Sequence, residues 1–303
     1  EPVYGAFLEW TYKNEDKFTF IAGLRGDNNV NYGFIITPRV HIKWSIDKKT
    51  TFRLSCGSGR KSMNLYSEVL PYILNSRDII WEKNDRMEKG YNYGGNVVKD
   101  IRLFGKESRI TFDYYHTQFI SQTIINFDKD HEKIYVENLN GRSYLNSYQV
   151  DFIIKPVKRL EITIVYRIND VKQTYNNTFT EKPMVNKNKG LITMSYSTPF
   201  DRWRFDYTLQ YNGKMKLPDM SWNPYWAYNS NYSKNYFLMY FQVTRSVKRL
   251  DAYAGCENIL DYKQSNPIID SKAPFGKYFD GTVVWGPIKG RMFYIGIRYK
   301  IKY

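Results

Sequence analysis

The sequence predicts an all-β protein, a transmembrane antiparallel up-and-down β-barrel. Three observations predict it. Apolar and polar residues alternate with period 2 in run after run. The connections between runs alternate between short turns and long loops. Aromatic residues make up 17% of the chain although mean hydropathy is only −0.58, a mix that suits strands with aromatics on one face and polar groups on the other. No stretch of about 18 apolar residues occurs, so no transmembrane helix is predicted. A barrel would not give that signal, because its apolar residues alternate with polar ones.

The runs come in order. Tyr4, Ala6, Leu8, Trp10 and Tyr12 face one way and Gly5, Phe7, Glu9 and Thr11 the other, before a turn at 13–16. Phe18, Phe20, Ala22 and Leu24 then oppose Thr19, Ile21, Gly23 and Arg25. Ile36, Pro38, Val40, Ile42 and Trp44 oppose Arg39, His41 and Lys43, and after a turn at 47–49, Phe52, Leu54 and Cys56 oppose Arg53 and Ser55. Runs follow at 90–104, 109–120, 143–156, 162–168, 190–198, 203–211, 236–245, 249–258 and 290–303. The total is about thirteen strands. Short turns are expected at 13–16, 47–49, 105–108, 157–159, 199–202 and 246–248. Long loops are expected at 26–31, 60–89, 121–142, 172–189, 212–235 and 259–289. Sorting connections this way is the pattern of an outer-membrane barrel, with tight turns at one rim and large loops at the other. A propeller would repeat a motif about every 40 residues, and none is found.

The two faces differ in charge. Lys or Arg at the lipid midplane costs about 2–4 kcal/mol, and the apolar faces carry almost no charge. The opposite faces hold Arg25, Arg39, Lys43, Arg53, Asp113, Asp151, Glu161, Arg167, Glu257 and Arg298, as a wet lumen in contact with other protein requires. Trp10, Tyr12, Trp44, Trp203, Tyr299 and Tyr303 stand beside short turns, the positions of an aromatic girdle at a membrane interface. The closing segment, GRMFYIGIRYKIKY, puts Phe293–Tyr303 on the apolar side and Arg298, Lys300 and Lys302 on the other.

The net charge of +15 raises nucleic-acid binding. The basic residues are spread through the strands and form no basic helix, so no nucleic-acid partner is expected. Cys56 and Cys256 are too few for a disulfide framework. Gly57–Ser62 reads GSGRKS but lacks the spacing of a phosphate loop. No nucleophile–base pair stands out, and no clustered carboxylates or paired histidines suggest a metal. No catalytic residue, metal or cofactor is therefore expected. His41 is placed in the lumen, and His116 and His131 on the loop side.

A strand count of about thirteen is odd, whereas single-chain bacterial barrels have an even number. The first strand also runs down into a short turn. The chain is therefore expected to be the C-terminal portion of a larger barrel over residues 1–303, with the plug and first strands outside it.

Several segments resemble the TonB-dependent outer-membrane receptors. AGLRGDNNVNYGFIITPRVHIKWSIDKKTTFRLSCGSGRKS (22–62) is similar to their strand–turn–strand with Gly-x-Arg-x-Asp, a TPR strand and a TxxRxSxGxGxR strand. ENILDYKQSNPIID (257–270) and YFDGTVVWGPIKGRMFYIGIRYKI (278–301) resemble the end of such receptors from Bacteroidetes, and are unlike the ending of the SusC-type glycan importers. The resemblance implies strands 10 to 22 of a roughly 22-stranded plugged barrel in the cell outer membrane. It implies energy-dependent uptake of a scarce nutrient (a siderophore, haem, cobalamin or similar). The implied partners are TonB–ExbB–ExbD through the missing N-terminal region, lipid and lipopolysaccharide, the outer-membrane assembly machinery, which reads the terminal aromatic, and a surface lipoprotein lid. The alternative is a stand-alone passive channel. The ligand candidates lie in the loop PDMSWNPYWAYNSNYSKNY: Trp222, Tyr225, Trp226, Tyr228 and Tyr232, which offer rings for stacking. A short helix is expected through Leu65–Leu74 in the first large loop.

Overall fold

A computed structural model describes residues 2–63, 69–73, 75–82, 87–227 and 230–301. Half of the helix expected through Leu65–Leu74, together with Tyr228 and Tyr303, lies outside the described residues; within the other half Leu70–Tyr72 forms one 3-10 turn.

Among the described residues seventeen strands form in chain order. Thirteen make one antiparallel wall: β1 (Val3–Asn14), β2 (Phe18–Asn29), β3 (Gly33–Ser45), β4 (Thr50–Lys61), β6 (Glu88–Leu103), β7 (Lys106–Ser121), β10 (Ser143–Ile154), β11 (Leu160–Tyr175), β13 (Asn188–Ser197), β14 (Trp203–Asn212), β15 (Tyr236–Val247), β16 (Leu250–Glu257) and β17 (Met292–Tyr299). Each pairs with the next, so the wall is a pure meander with β1 and β17 at its two ends. Four short strands were not legible in the loops: β5 (Asp78–Trp81), β8 (Thr123–Asn126), β9 (Lys133–Asn138) and β12 (Thr178–Glu181).

The lower turns are short because their residues accept tight geometry. Phe104 and Gly105 both have positive φ, 49° and 74°, the two-residue hairpin turn whose twist matches the strands it joins. One expected long loop is not long. β2 continues to Asn29 and β3 begins at Gly33, because the Asn29 side chain accepts the N–H groups of Asn31 (2.9 Å) and Tyr32 (3.1 Å) and closes the turn. Short and long connections therefore do not alternate strictly.

The registers extend the predicted faces into continuous rows. On the apolar face, Lys99–Ile110–Phe152–Ile164–Ile192–Leu209–Met239 are successive cross-strand neighbours. The row Trp10–Ala22–Val40–Cys56–Tyr93–His116–Asn146–Asp170 starts near a short turn and ends near the long loops. A hydrogen-bonded row thus climbs from the lower rim to the upper, which is the stagger of tilted strands in a barrel. The rows also place the upper residues of the apolar face. His116, expected on the loop side, lies at the loop end of β7 and shares the apolar face with Phe112 and Tyr114. That face also gains polar residues above its tyrosines, at His116, Asn146, Asp170 and Lys172, because the tilt carries this part of the row out of the apolar band.

Of the buried apolar side chains among the described residues, only Tyr175 belongs to the wall. The others, including Ile134, Val136, Leu217, Met220 and Val283, lie in the loops. Meanwhile Phe293 is 78% and Ile295 86% exposed on the wall's apolar face. A water-soluble protein rarely leaves so large an apolar patch uncovered. Among the described residues no helix is long and apolar enough to cross a membrane, which says nothing about crossing by strands.

Candidate functional site

The large loops fold into one cap. β5, β9 and β8 form a small sheet in which β5 runs parallel to β9. The parallel pair joins the loop after β4 to the loop after β7. Beside it, Met215, Leu217, Met220, Ile269, Val283 and Trp285 make a core from two further loops. Each loop is too short to bury an apolar face alone, so the loops share one.

Buried polar groups fix the arrangement. Arg77 Nε donates to Asp280 Oδ2 at 2.9 Å, with side-chain exposures of 1% and 0%. Its Nη1 donates to the Phe127 carbonyl at 2.8 Å, and its guanidinium lies 5.2 Å from the Trp222 ring. The N–H of Asp219 donates to Asp128 Oδ1 at 2.9 Å. The Gln264 amide accepts from the N–H groups of Trp285 and Gly286 and donates to the Val283 carbonyl, all at 2.8 Å. The N–H of Phe127 donates to Tyr175 Oη at 2.6 Å and ties the cap to the wall.

The cap also spans the wall. The loop after β4 and the loop before β17 meet at Ser76–Phe279 and Arg77–Asp280. β4 and β16 stand eight places apart in the sheet order, roughly 40 Å along the sheet at a strand spacing of about 4.8 Å. Loops from positions so far apart meet only by leaning across the polar side of a curved wall.

The expected ligand residues divide within this cap. Trp222 is half-buried, stacked on His131 (5.6 Å, 23°) and over Arg77. Trp226 packs against the same core. Tyr232 Oη donates to Glu181 at 3.0 Å. Tyr225 is 57% exposed, with its ring 5.8 Å from that of Tyr278. Three residues before Tyr278 in the chain, Phe275 is fully exposed on a turn closed by Ala273 N–H to Asp270 O (3.0 Å) and Gly276 N–H to Ala273 O (2.8 Å). Sequence reasoning missed Phe275, although Ala-Pro-Phe-Gly was a visible turn signal. It also missed Arg77 and Asp280, for which no local signal exists.

The expected lumen residues lie on the polar face. Lys43, Arg53, Asn96, Asp113, Gln149 and Arg167 are successive neighbours in one row. Arg53 donates to Asn96 at 3.4 Å and Arg167 to Gln149 at 2.6 Å, while Gln149 donates to Asp151 at 2.8 Å. Arg25 pairs with Asp27 (2.8 Å) and Glu161 with Lys155 (3.3 Å). Arg39 lies opposite Gly23 and Gly57, Glu257 opposite Met292, and Arg298 opposite Asp251. Lys43 and Arg53 are like charges placed side by side, a pairing that costs energy unless another group compensates. At the lower rim, Trp10 stacks on Tyr12 (6.4 Å) and Trp44 lies 6.2 Å from Phe52. Tyr299 is 62% exposed on the apolar face. No group of three His, Cys, Asp or Glu suited to a metal occurs among the described residues.

The meander of thirteen strands has the fold of part of a TonB-dependent receptor barrel. The chain is similar to the ferric enterobactin receptor of Pseudomonas aeruginosa, at 14% identity and a TM-score of 0.71, over 98% of this chain and 44% of that one. It is also similar to siderophore receptors of Pseudomonas aeruginosa (12% identity, TM-score 0.62, 98% and 48%) and Acinetobacter baumannii (12%, 0.65, 98% and 45%). The chain thus spans less than half the length of the solved receptors it matches. No protein-family model and no curated protein sequence matches it.

Proposed function

We propose that this chain is the C-terminal part, strands 10 to 22, of the barrel of an outer-membrane receptor that imports a scarce nutrient with energy from TonB. One observation carries the reading. The wall's apolar face is left uncovered while its polar face is roofed by a cap of interlocked loops. The apolar face suits lipid and lipopolysaccharide, and the polar face suits a plug, to which Lys43 and Arg53 would offer their charge. The exposed rings of Tyr225 and Phe275 are the cap's contacts for an incoming ligand. Siderophores are the first substrate class to test, since the solved proteins of similar fold are siderophore receptors. TonB–ExbB–ExbD acts through the N-terminal region of the intact receptor, the assembly machinery inserts the barrel, and a surface lipoprotein would dock on the cap.

Deleting the gene and measuring uptake of labelled ferric siderophores, haem and cobalamin tests this. Loss of one uptake that also requires TonB is the expected result. Uptake that persists without TonB would instead mark a passive channel.

A further inference from the structure

Above its tyrosines, the outward face of β10, β11 and β12 carries cations. Tyr114, Tyr148 and Ile168 form the last mostly apolar row there, followed by His116–Asn146–Asp170 and then by Gln118–Tyr144–Lys172–Glu181. Four residues separate Tyr148 from Tyr144, which is roughly 10 Å of height for a strand tilted near 45°. Tyr144 and Lys172 therefore stand at the level of lipid headgroups when Tyr148 sits at the edge of the hydrocarbon.

Two cations stand on this face, one of them packed on an aromatic ring. The Arg142 guanidinium lies 4.8 Å from the Phe179 ring, which lies 5.7 Å from the Tyr144 ring. Lys172 stands between Tyr144 and Glu181. Among the described residues, neither Arg142 nor Lys172 forms an ion pair. The neighbouring acids are engaged: Asp170 accepts from Tyr144 Oη at 2.9 Å, and Glu181 accepts from Tyr232 Oη at 3.0 Å and pairs with Lys187 at 3.4 Å. The local surplus is therefore positive, on the side of the wall that faces lipid.

We infer that Arg142 and Lys172 form a binding site for the phosphate of a phosphorylated lipid in the outer leaflet. Phe179, itself packed on Tyr144, holds the Arg142 guanidinium in place, Lys172 lies beside Tyr144 in the register, and the rows of tyrosine and apolar residues below receive the acyl chains. The site rests on the membrane reading given above. An ammonium or guanidinium at this height finds lipid phosphate as its nearest counter-charge, and each contributes about a fivefold gain in affinity.

The test is titration of the intact receptor in detergent micelles with diphosphoryl lipid A or its dephosphorylated form, read by native mass spectrometry. The phosphorylated lipid should bind more tightly, and the double variant Arg142→Ala with Lys172→Ala should bind it roughly thirtyfold more weakly. The charge-preserving double variant Arg142→Lys with Lys172→Arg should keep the affinity, as should Lys48→Ala at a lower turn. Equal binding of the two lipids, unchanged affinity in the alanine pair, or loss in the charge-preserving pair would overturn the site. Membrane fractionation reports separately on the receptor reading: absence from the outer membrane would defeat that reading whatever the titration shows.

Discussion

Arg77 and Asp280, 203 residues apart in the chain, form a 2.9 Å ion pair from which water is excluded. The pair holds together loops from distant strands of the wall. Removing one partner leaves the other charge buried and uncompensated, which costs about 3–5 kcal/mol. Arg77→Ala should therefore loosen the cap while the wall stays assembled. Limited proteolysis should cut the loops of the variant faster, with heat-modifiable migration on gels unchanged. Replacing both residues together by apolar ones of similar volume should restore much of the protection.

Mild acid should relieve the cost of one buried charge in the cap. Burial, and then the nearby Asp219 carboxylate, raise the Asp128 pKa above the usual carboxylate value. A carboxyl whose folded pKa is raised contributes stability that is present below its unfolded pKa and lost as pH rises through the folded one. Asp128→Asn should stabilise the cap at neutral pH, and the difference from the native chain should vanish below about pH 4. Asp219 behaves oppositely. Hydrogen bonds from Ser221 lower its pKa, so its contribution is present at neutral pH and lost only in stronger acid. Protease protection measured from neutral pH to pH 3 in the Asp128 variant checks the first sign.

The two faces of β13 should tolerate charge differently. Ile192 lies in the apolar row and Thr193 on the polar face. Ile192→Arg should cost about 2–4 kcal/mol of membrane stability and lower the amount of assembled protein. Thr193→Arg should leave assembly near its normal level. Surface labelling of both variants at equal expression makes the comparison.

Trp222 and Tyr225 are three residues apart in one loop, but their substitutions should be separable. Trp222 packs on Arg77 and His131, so Trp222→Ala should destabilise the cap by about 2 kcal/mol, near half the cost for a fully buried Trp. Tyr225 is exposed, so Tyr225→Ala should leave the cap intact and weaken ligand capture by about 0.5–1.5 kcal/mol. Binding titrations beside proteolysis rates would distinguish the two effects.

A close approach in the wall gives a further check. Gly94 sits where a Cβ would meet the Tyr114 carbonyl oxygen and, at 2.7 Å, Tyr115 Cα. Both obstacles are backbone and cannot swing aside. Gly94→Ala should force β6 and β7 apart and reduce assembled protein, although alanine is otherwise a mild change.

The strands, their order and the side of the wall each residue faces were legible in the sequence, because alternation in a strand is local: neighbours two apart share a face whatever lies beyond them. Lys43, Arg53 and Arg167 fall on the polar face by that rule alone, and the open apolar face of β17 follows from Phe293, Ile295 and Ile297. The height of a residue in the wall was not legible. His116 and Trp10 belong to one register row at opposite rims, and only the pairing of successive strands supplies that stagger. The cap was also beyond the sequence. β5, β8, β9 and β12 are four to six residues long, too short for a periodic signal, and β5 exists because β9 lies alongside it. Trp222 shows the same limit: an aromatic loop reads alike whether its rings meet a ligand or an arginine. The sequence by itself determined a wall with one apolar and one polar face, since that depends on residues adjacent in the chain. The tertiary structure alone decided that Arg77 meets Asp280 and that the loops form one body, since such contacts depend on strands brought together from across the whole sheet.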